Sequence, residues 1–287
     1  MGTRNRPRLR HKRSPDPLAA RIRAADDGDS RAAADVVHWL LPARRPQRLA
    51  LARRYAEMAS SGKDSEAADW AAVCFLYPDS CGGWEDPRGN GADPKWALGV
   101  LRRLARAGNV HSMHSLYLAY WRGAGVARDV DVAERWARRA AKHGDCEPLN
   151  NIGVSFRERE GVRRDIRRAV RCYRTAAALG YPMALRNLSK CYEHGEGMRK
   201  DDRRSVRLLR RAVRLNPPLR SRPAPCASAW FDLGWRLVHG HGVREDRGRG
   251  LRLLRRAAKA GWETAQESLR DLGPTTTPTG LRPRARG

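Results

Sequence analysis

The chain has 287 residues, 31% charged and 41% hydrophobic, with a mean hydropathy of -0.71 and no apolar run long enough to cross a membrane. Its 58 Lys and Arg against 31 Asp and Glu give a net charge of +27 and a pI near 11.2. That charge favours anionic partners (nucleic acid, acidic proteins, lipid headgroups), and an arginine-heavy solvated surface gives it equally well. The six cysteines (Cys74, Cys81, Cys146, Cys172, Cys191, Cys226) never recur as a pair at fixed repeat positions. A disulfide-stapled scaffold is thereby excluded, and reduced thiols in a cytosolic, cytoplasmic protein are expected.

Residues 1–17 carry Arg4, Arg6, Arg8, Arg10, Lys12 and Arg13 with no apolar periodicity, and read as a disordered basic arm. LAARIRAADD follows where the apolar core of a signal peptide would stand, so no signal peptide is expected. Residues 18–108 read as degenerate helical repeats. A short helix stops near Gly28, SRAAADVVHWLLP places Ala34, Val37, Leu40 and Leu41 on one face, and RPQRLALARRYAEMASSG forms the next helix. SEAADWAAVCFLY and PKWALGVLRRLARAG are two further helices, separated by the Gly/Pro-rich insertion PDSCGGWEDPRGNGAD.

From residue 109 the pattern becomes periodic. The apolar residues Val126, Val162 and Met198 stand 36 apart and Val243 follows after 45. Three residues past each comes Asp129, Asp165, Asp201 or Asp246, and eighteen past each comes Gly144, Gly180, Asn216 or Gly261. Self-similarity at this period predicts an all-α solenoid of helical hairpins with units at 109–144, 145–180, 181–216 and 217–261. The nine extra residues of the last unit are absorbed by the proline-rich NPPLRSRPAPCAS. Residues 262–273 read as a capping helix with a polar outer side, and 274–287 as a disordered tail.

Within each unit the turn glycines (Gly123/Gly125, Gly195/Gly197, Gly240/Gly242) are placed to supply positive φ at the end of the first helix. Each Asp is placed to cap the second helix, a contribution of about 1 kcal/mol. Small residues after the apolar position (Gly153, Ser189, Gly234) allow the two helices to approach closely, and Trp136, Cys172, Leu208 and Leu253 share a position read as core. Arg159 in place of a turn glycine and Gly250 in place of alanine depart from the pattern.

GAGVARDVDVAERWARRAAKHG and YEHGEGMRKD resemble the Sel-one-like repeat, a subclass of the tetratricopeptide-like helical repeats. The resemblance covers 109–261 well and 31–108 loosely. It implies a right-handed α-solenoid whose first helices line a concave groove, and an adaptor for protein complexes.

No chemistry is legible beside that. The Gly-x-Gly segments follow helices and complete no phosphate-loop motif. Ser60-Ser61-Gly62-Lys63 matches Ser-x-x-Lys without its partner motifs. His111 and His114 have a chelating spacing but no recognisable third ligand. The chain is therefore read as non-catalytic, with no metal or cofactor, and its Arg/Ala usage suggests a bacterial source.

By register, the first-helix residues outside the packing stripe are His111, His114, Leu118 and Trp121, then Asn150 and Arg157, then Arg186 and Lys190, then Phe231 and Trp235. Asn151, Asn187 and Asp232 share a position where a polar side chain either bonds the backbone of a bound peptide or links neighbouring repeats. These residues form the expected groove for a protein partner, with Trp121, Phe231 and Trp235 as anchors. Alternatively, Arg138/Arg139, Arg174, Arg210/Arg211 and Arg255/Arg256 form a basic face that, with the N-terminal arm, binds a polyanion (nucleic acid or an acidic surface) by charge.

Overall fold

In the computed structural model the described residues are 17–40, 46–61, 64–76, 94–158, 162–215 and 227–272. Four expected segments therefore lie outside them: the basic arm up to residue 16, the insertion at 78–93, the proline-rich stretch at 217–226 and the tail. Gly62, Arg159, Cys81, Asn216 and Cys226 lie outside as well.

Among the described residues all regular structure is helical. The helices are α1 Pro17–Asp26, α2 Ser30–Leu40, α3 Pro46–Ser61, α4 Ser65–Leu76, α5 Pro94–Arg106, α6 Val110–Arg122 and α7 Val130–Lys142. They continue with α8 Glu147–Glu158, α9 Ile166–Ala178, α10 Pro182–His194, α11 Asp202–Leu215, α12 Ala227–His239, α13 Arg247–Lys259 and α14 Glu263–Asp271. No described helix is long and apolar enough to cross a membrane. After the leading α1, consecutive helices pair as hairpins (α2/α3 through α12/α13), the arrangement of an α-solenoid. The chain divides into two compact units after Asp145, with α1–α7 in the first and α8–α14 in the second.

The hairpin turns close as their residues dictate. Gly123, Gly125, Gly195, Gly197, Gly240 and Gly242 all hold φ between 68° and 78°, where a Cβ is penalised. Asp129, Asp165, Asp201 and Asp246 accept backbone N–H bonds at the starts of α7, α9, α11 and α13. A second bond, which the spacing did not reveal, repeats in all four turns. The backbone N–H of each Asp donates to the carbonyl nine residues earlier (Tyr120, Phe156, Tyr192, Leu237) at 2.8–3.0 Å. One residue thus fixes both the end of the first helix and the start of the second. Asp29, Asp64 and Asn109 cap the first helices α2, α4 and α6 in the same manner.

The core of the first unit is rich in alanine around Val36, Val37, Phe75, Leu98, Leu101, Met113 and Leu116, all buried. In the second unit Leu149, Ile152, Tyr173, Leu185, Leu209 and Leu254 are buried and the helices approach at small residues. A Cβ on Gly153 would lie 2.6 Å from the Tyr173 ring, and one on Gly250 would lie 2.7 Å from the Gly234 carbonyl oxygen. Gly250 therefore departs from alanine because α12 and α13 meet there at backbone distance. The shared position read as core is uneven: Cys172 is fully buried, whereas Trp136, Leu208 and Leu253 are half-buried. Cys74, Cys146, Cys172 and Cys191 are buried thiols, and burial pushes the Cys191 pKa up to about 11.

Candidate functional site

The first helices of the second unit, α8, α10 and α12, are joined side chain to side chain. Asn187 Nδ2 donates to Asn150 Oδ1 at 2.9 Å, and Asn150 in turn donates weakly to Asn151 at 3.4 Å. Arg157 donates to Glu196 and Arg186 to Asp232, each at 2.7 Å. Arg236, only 3% exposed, lies 2.7 Å from Glu193. The Arg157 hydrogen bond holds Glu196 below the usual carboxylate range. Lys190 is half-buried, and burial followed by the neighbouring Arg186 depresses its pKa. Asn187 and Asn150, and Arg186 and Asp232, thus spend their polar groups on one another, and Arg157 spends its own on Glu196.

The aromatic residues of the expected groove are also engaged. Phe231 packs on the apolar clusters of α12, α13 and α14. Trp235 has His239 at 4.4 Å and His241 at 4.9 Å between ring centroids. The His239 Nδ1–H donates to the Trp235 carbonyl at 2.8 Å. In the first unit Trp121 is half-buried beneath the Arg128 guanidinium at 5.4 Å, His114 Nδ1 sits 2.7 Å from Asp145 Oδ2, and Leu118 is half-buried. His111 alone of the histidine pair is exposed. Among the described residues no three potential ligands cluster in a way that could hold a metal.

His111 opens onto a cleft of about 460 Å³ formed by the first helices α2, α4 and α6. Its other walls are Arg31, Ala34, Asp35, Glu66, Ala67, Asp69 and Trp70. Trp70 is 43% exposed, and its ring lies 5.9 Å from His38. Arg31 pairs with Glu66 at 3.1 Å, and Asp35 with Arg21 at 3.3 Å. Asp69 lies at the floor, where it accepts the Ser112 hydroxyl. Burial raises its pKa against the opposing pull of Ser112, His111 and His114. A carboxylate held there without a full counter-ion suits a donor brought by a partner. Of this cleft, helix register points only to His111. The signal was present: Ser30-Arg31-Ala32-Ala33-Ala34-Asp35 and Ser65-Glu66-Ala67-Ala68-Asp69-Trp70 align at 35 residues, which places Arg31 over Glu66.

On the second helices, Arg139, Arg174, Arg210, Arg211, Arg255 and Arg256 are exposed and Arg138 is half-buried. Arg138 pairs with Glu134 on its own helix, and Arg139 lies 5.7 Å over Trp136. Arg211 donates to the Ala178 carbonyl at 3.3 Å, and Arg256 lies 4.4 Å over the buried Trp230.

The Sel1 repeat family matches residues 115–145, 149–181, 182–217 and 227–262. No curated protein matches the chain in sequence. A protective antigen of uropathogenic Escherichia coli displaying an SLR fold superposes with a TM-score of 0.58 at 23% identity. The match covers 91% of this chain, which spans only 52% of that protein. A Sel1 repeat protein from Oxalobacter formigenes gives 0.53 at 21% identity, with 89% of both chains covered. At these identities the likeness shows the fold.

Proposed function

Since four consecutive copies make this chain a member of the Sel1 repeat family, whose proteins generally mediate protein–protein interactions, we propose that it is a non-catalytic adaptor that seats a segment of a partner protein in the α2–α4–α6 cleft. The observation that carries this reading is the exposed Trp70 indole in an open, polar-walled cleft on the first-helix side. Interface energy concentrates on such aromatic anchors ringed by polar groups. The carboxylates of Asp35, Glu66 and Asp69 suit backbone N–H groups or a cationic side chain of the segment, which can also lie over the indole face. In the second unit the corresponding side chains are paired at low exposure, as Arg186 is with Asp232 and Arg157 with Glu196, whereas the Arg31–Glu66 and Arg21–Asp35 pairs of the cleft are solvated.

The test is affinity capture from nuclease-treated native lysate with the parent chain and with Trp70→Ala. Proteins retained by the parent are expected to be lost by the variant, while far-UV circular dichroism stays unchanged. A folded Trp70→Ala chain that keeps every partner ends the assignment of the cleft.

A further inference from the structure

The charge of this protein is not spread over the second unit at random. Its first helices α8, α10 and α12 hold four basic and four acidic residues, a balance. Its second helices α9, α11 and α13 hold sixteen basic residues against one acidic residue, Asp202. An arginine-rich composition by itself would load both helices of a hairpin alike.

The basic residues also keep register. Counted from the capping Asp, the sixth position is Arg171, Arg207 and Arg252, and the ninth is Arg174, Arg210 and Arg255. All six are exposed. On a helix, residues three apart lie about 5–6 Å from each other at Cβ, and like charges there repel. Arg171, Arg174, Arg207, Arg210 and Arg252 have no carboxylate partner among the described residues to relieve that repulsion. The equivalent stripe of α7 in the first unit does have one, since Glu134 pairs with Arg138. The ends of α9 and α11 are held together through Arg211 and the Ala178 carbonyl, so these two rows belong to one surface.

We propose that this outer arginine face of the second unit binds the phosphate backbone of a nucleic-acid duplex without regard to sequence. Guanidinium forks match phosphate oxygens, and rows of fixed cations gain from displacing the counterions of a polyanion. The six register positions carry no aromatic side chain on which unpaired bases would stack, which favours a duplex over a single strand. Nor do they carry apolar groups to enter a bilayer, because the apolar stripes of α9, α11 and α13 are buried in their hairpins.

The measurement is fluorescence anisotropy of a labelled duplex of about 30 base pairs with the full chain, at salt from about 50 to 200 mM. The parent is compared with a variant carrying Arg171→Gln, Arg207→Gln, Arg210→Gln and Arg252→Gln. A control carries Arg23→Gln, Lys95→Gln, Arg106→Gln and Arg122→Gln, four exposed cations of the first unit with the same loss of charge. The expected result is a steep salt slope for the parent. The four-arginine variant should lose at least about tenfold in affinity, with a slope shallower by about 0.9 per contact removed. The control should lose about threefold or less. Equal losses in the two variants, a flat slope, or tighter binding to a single strand of the same length would overturn the proposal. So would binding to vesicles of phosphatidylserine and phosphatidylcholine under conditions where the duplex stays free.

Discussion

The two halves of this molecule use the same hairpin differently. In the first unit the faces of α2, α4 and α6 stand open around an exposed indole, and the Arg31–Glu66 pair in the cleft wall is well solvated. In the second unit the corresponding helices are laced by ion pairs of low exposure, Arg186 and Asp232 being 13% and 17% exposed. Polar side chains on a first helix are therefore either spent on the neighbouring repeat or left at an open face, as at the proposed partner cleft. Which of the two holds is set by whether the next hairpin presents a complementary group at the right register.

Four substitutions test this contrast, and the expected loss of stability falls from one to the next. Gly250→Ala drives a Cβ into the Gly234 carbonyl and Val238, where backbone must move, and should cost about 3 kcal/mol by urea denaturation. Asp232→Ala leaves the Arg186 guanidinium nearly buried without its carboxylate and should cost about 2 kcal/mol, below the range for a fully buried pair. Asp165→Ala removes the cap on α9 and should cost about 1 kcal/mol, with hydrogen exchange accelerated at the start of that helix. Trp70→Ala should change stability by no more than about 0.5 kcal/mol, because an exposed side chain leaves no cavity, yet it should abolish partner capture. A Trp70→Ala loss as large as that of Asp232→Ala would mean that the first unit is as tightly laced as the second.

Acidity separates the units in opposite directions. Glu196 has its folded pKa lowered by Arg157, so its contribution is present above the ordinary carboxylate range and fades as pH falls through the lowered value. Glu196→Gln should therefore be less stable than the parent at neutral pH, with the gap closing on acidification. Asp69 has its folded pKa raised by burial, so its ionised form opposes folding above that value. Asp69→Asn should match or exceed the parent at neutral pH and lose that advantage as pH falls. Paired urea titrations across the acid range measure both.

The helical repeat was legible in sequence because its determinants are local. A glycine with positive φ, an Asp three residues past the marker and alanines at helical spacing each act within one turn of their own chain. The bond from each Asp amide to the carbonyl nine residues back is equally local, but it involves no side chain and so leaves no letter to read. The candidate site was harder to read. Whether Asn187 faces a peptide or Asn150 depends on a residue 37 positions away, and helix register alone does not decide it. Trp121 and Trp235 stand on the first helices as the register indicates, yet Arg128 and His241 beside them come from the turns, whose course the period does not specify. The cleft is hard to read because the period is blurred over α2–α5: the sequence between α2 and α3 has no glycine, and a long Gly/Pro-rich insertion separates α4 from α5.

The second glycine of each turn reaches beyond its own hairpin. A Cβ at Gly125 would strike Pro94, one at Gly197 would strike Ile166 and one at Gly242 would strike Asp202, each at or beside the start of the preceding second helix. The three residues on the far side of these seams have nothing in common chemically; what is shared is the absence of an atom on the near side. A joint made by a missing atom does not depend on any matched pair of side chains. Such a chain can gain or lose whole hairpins, and its seams can drift in sequence, provided each glycine stays.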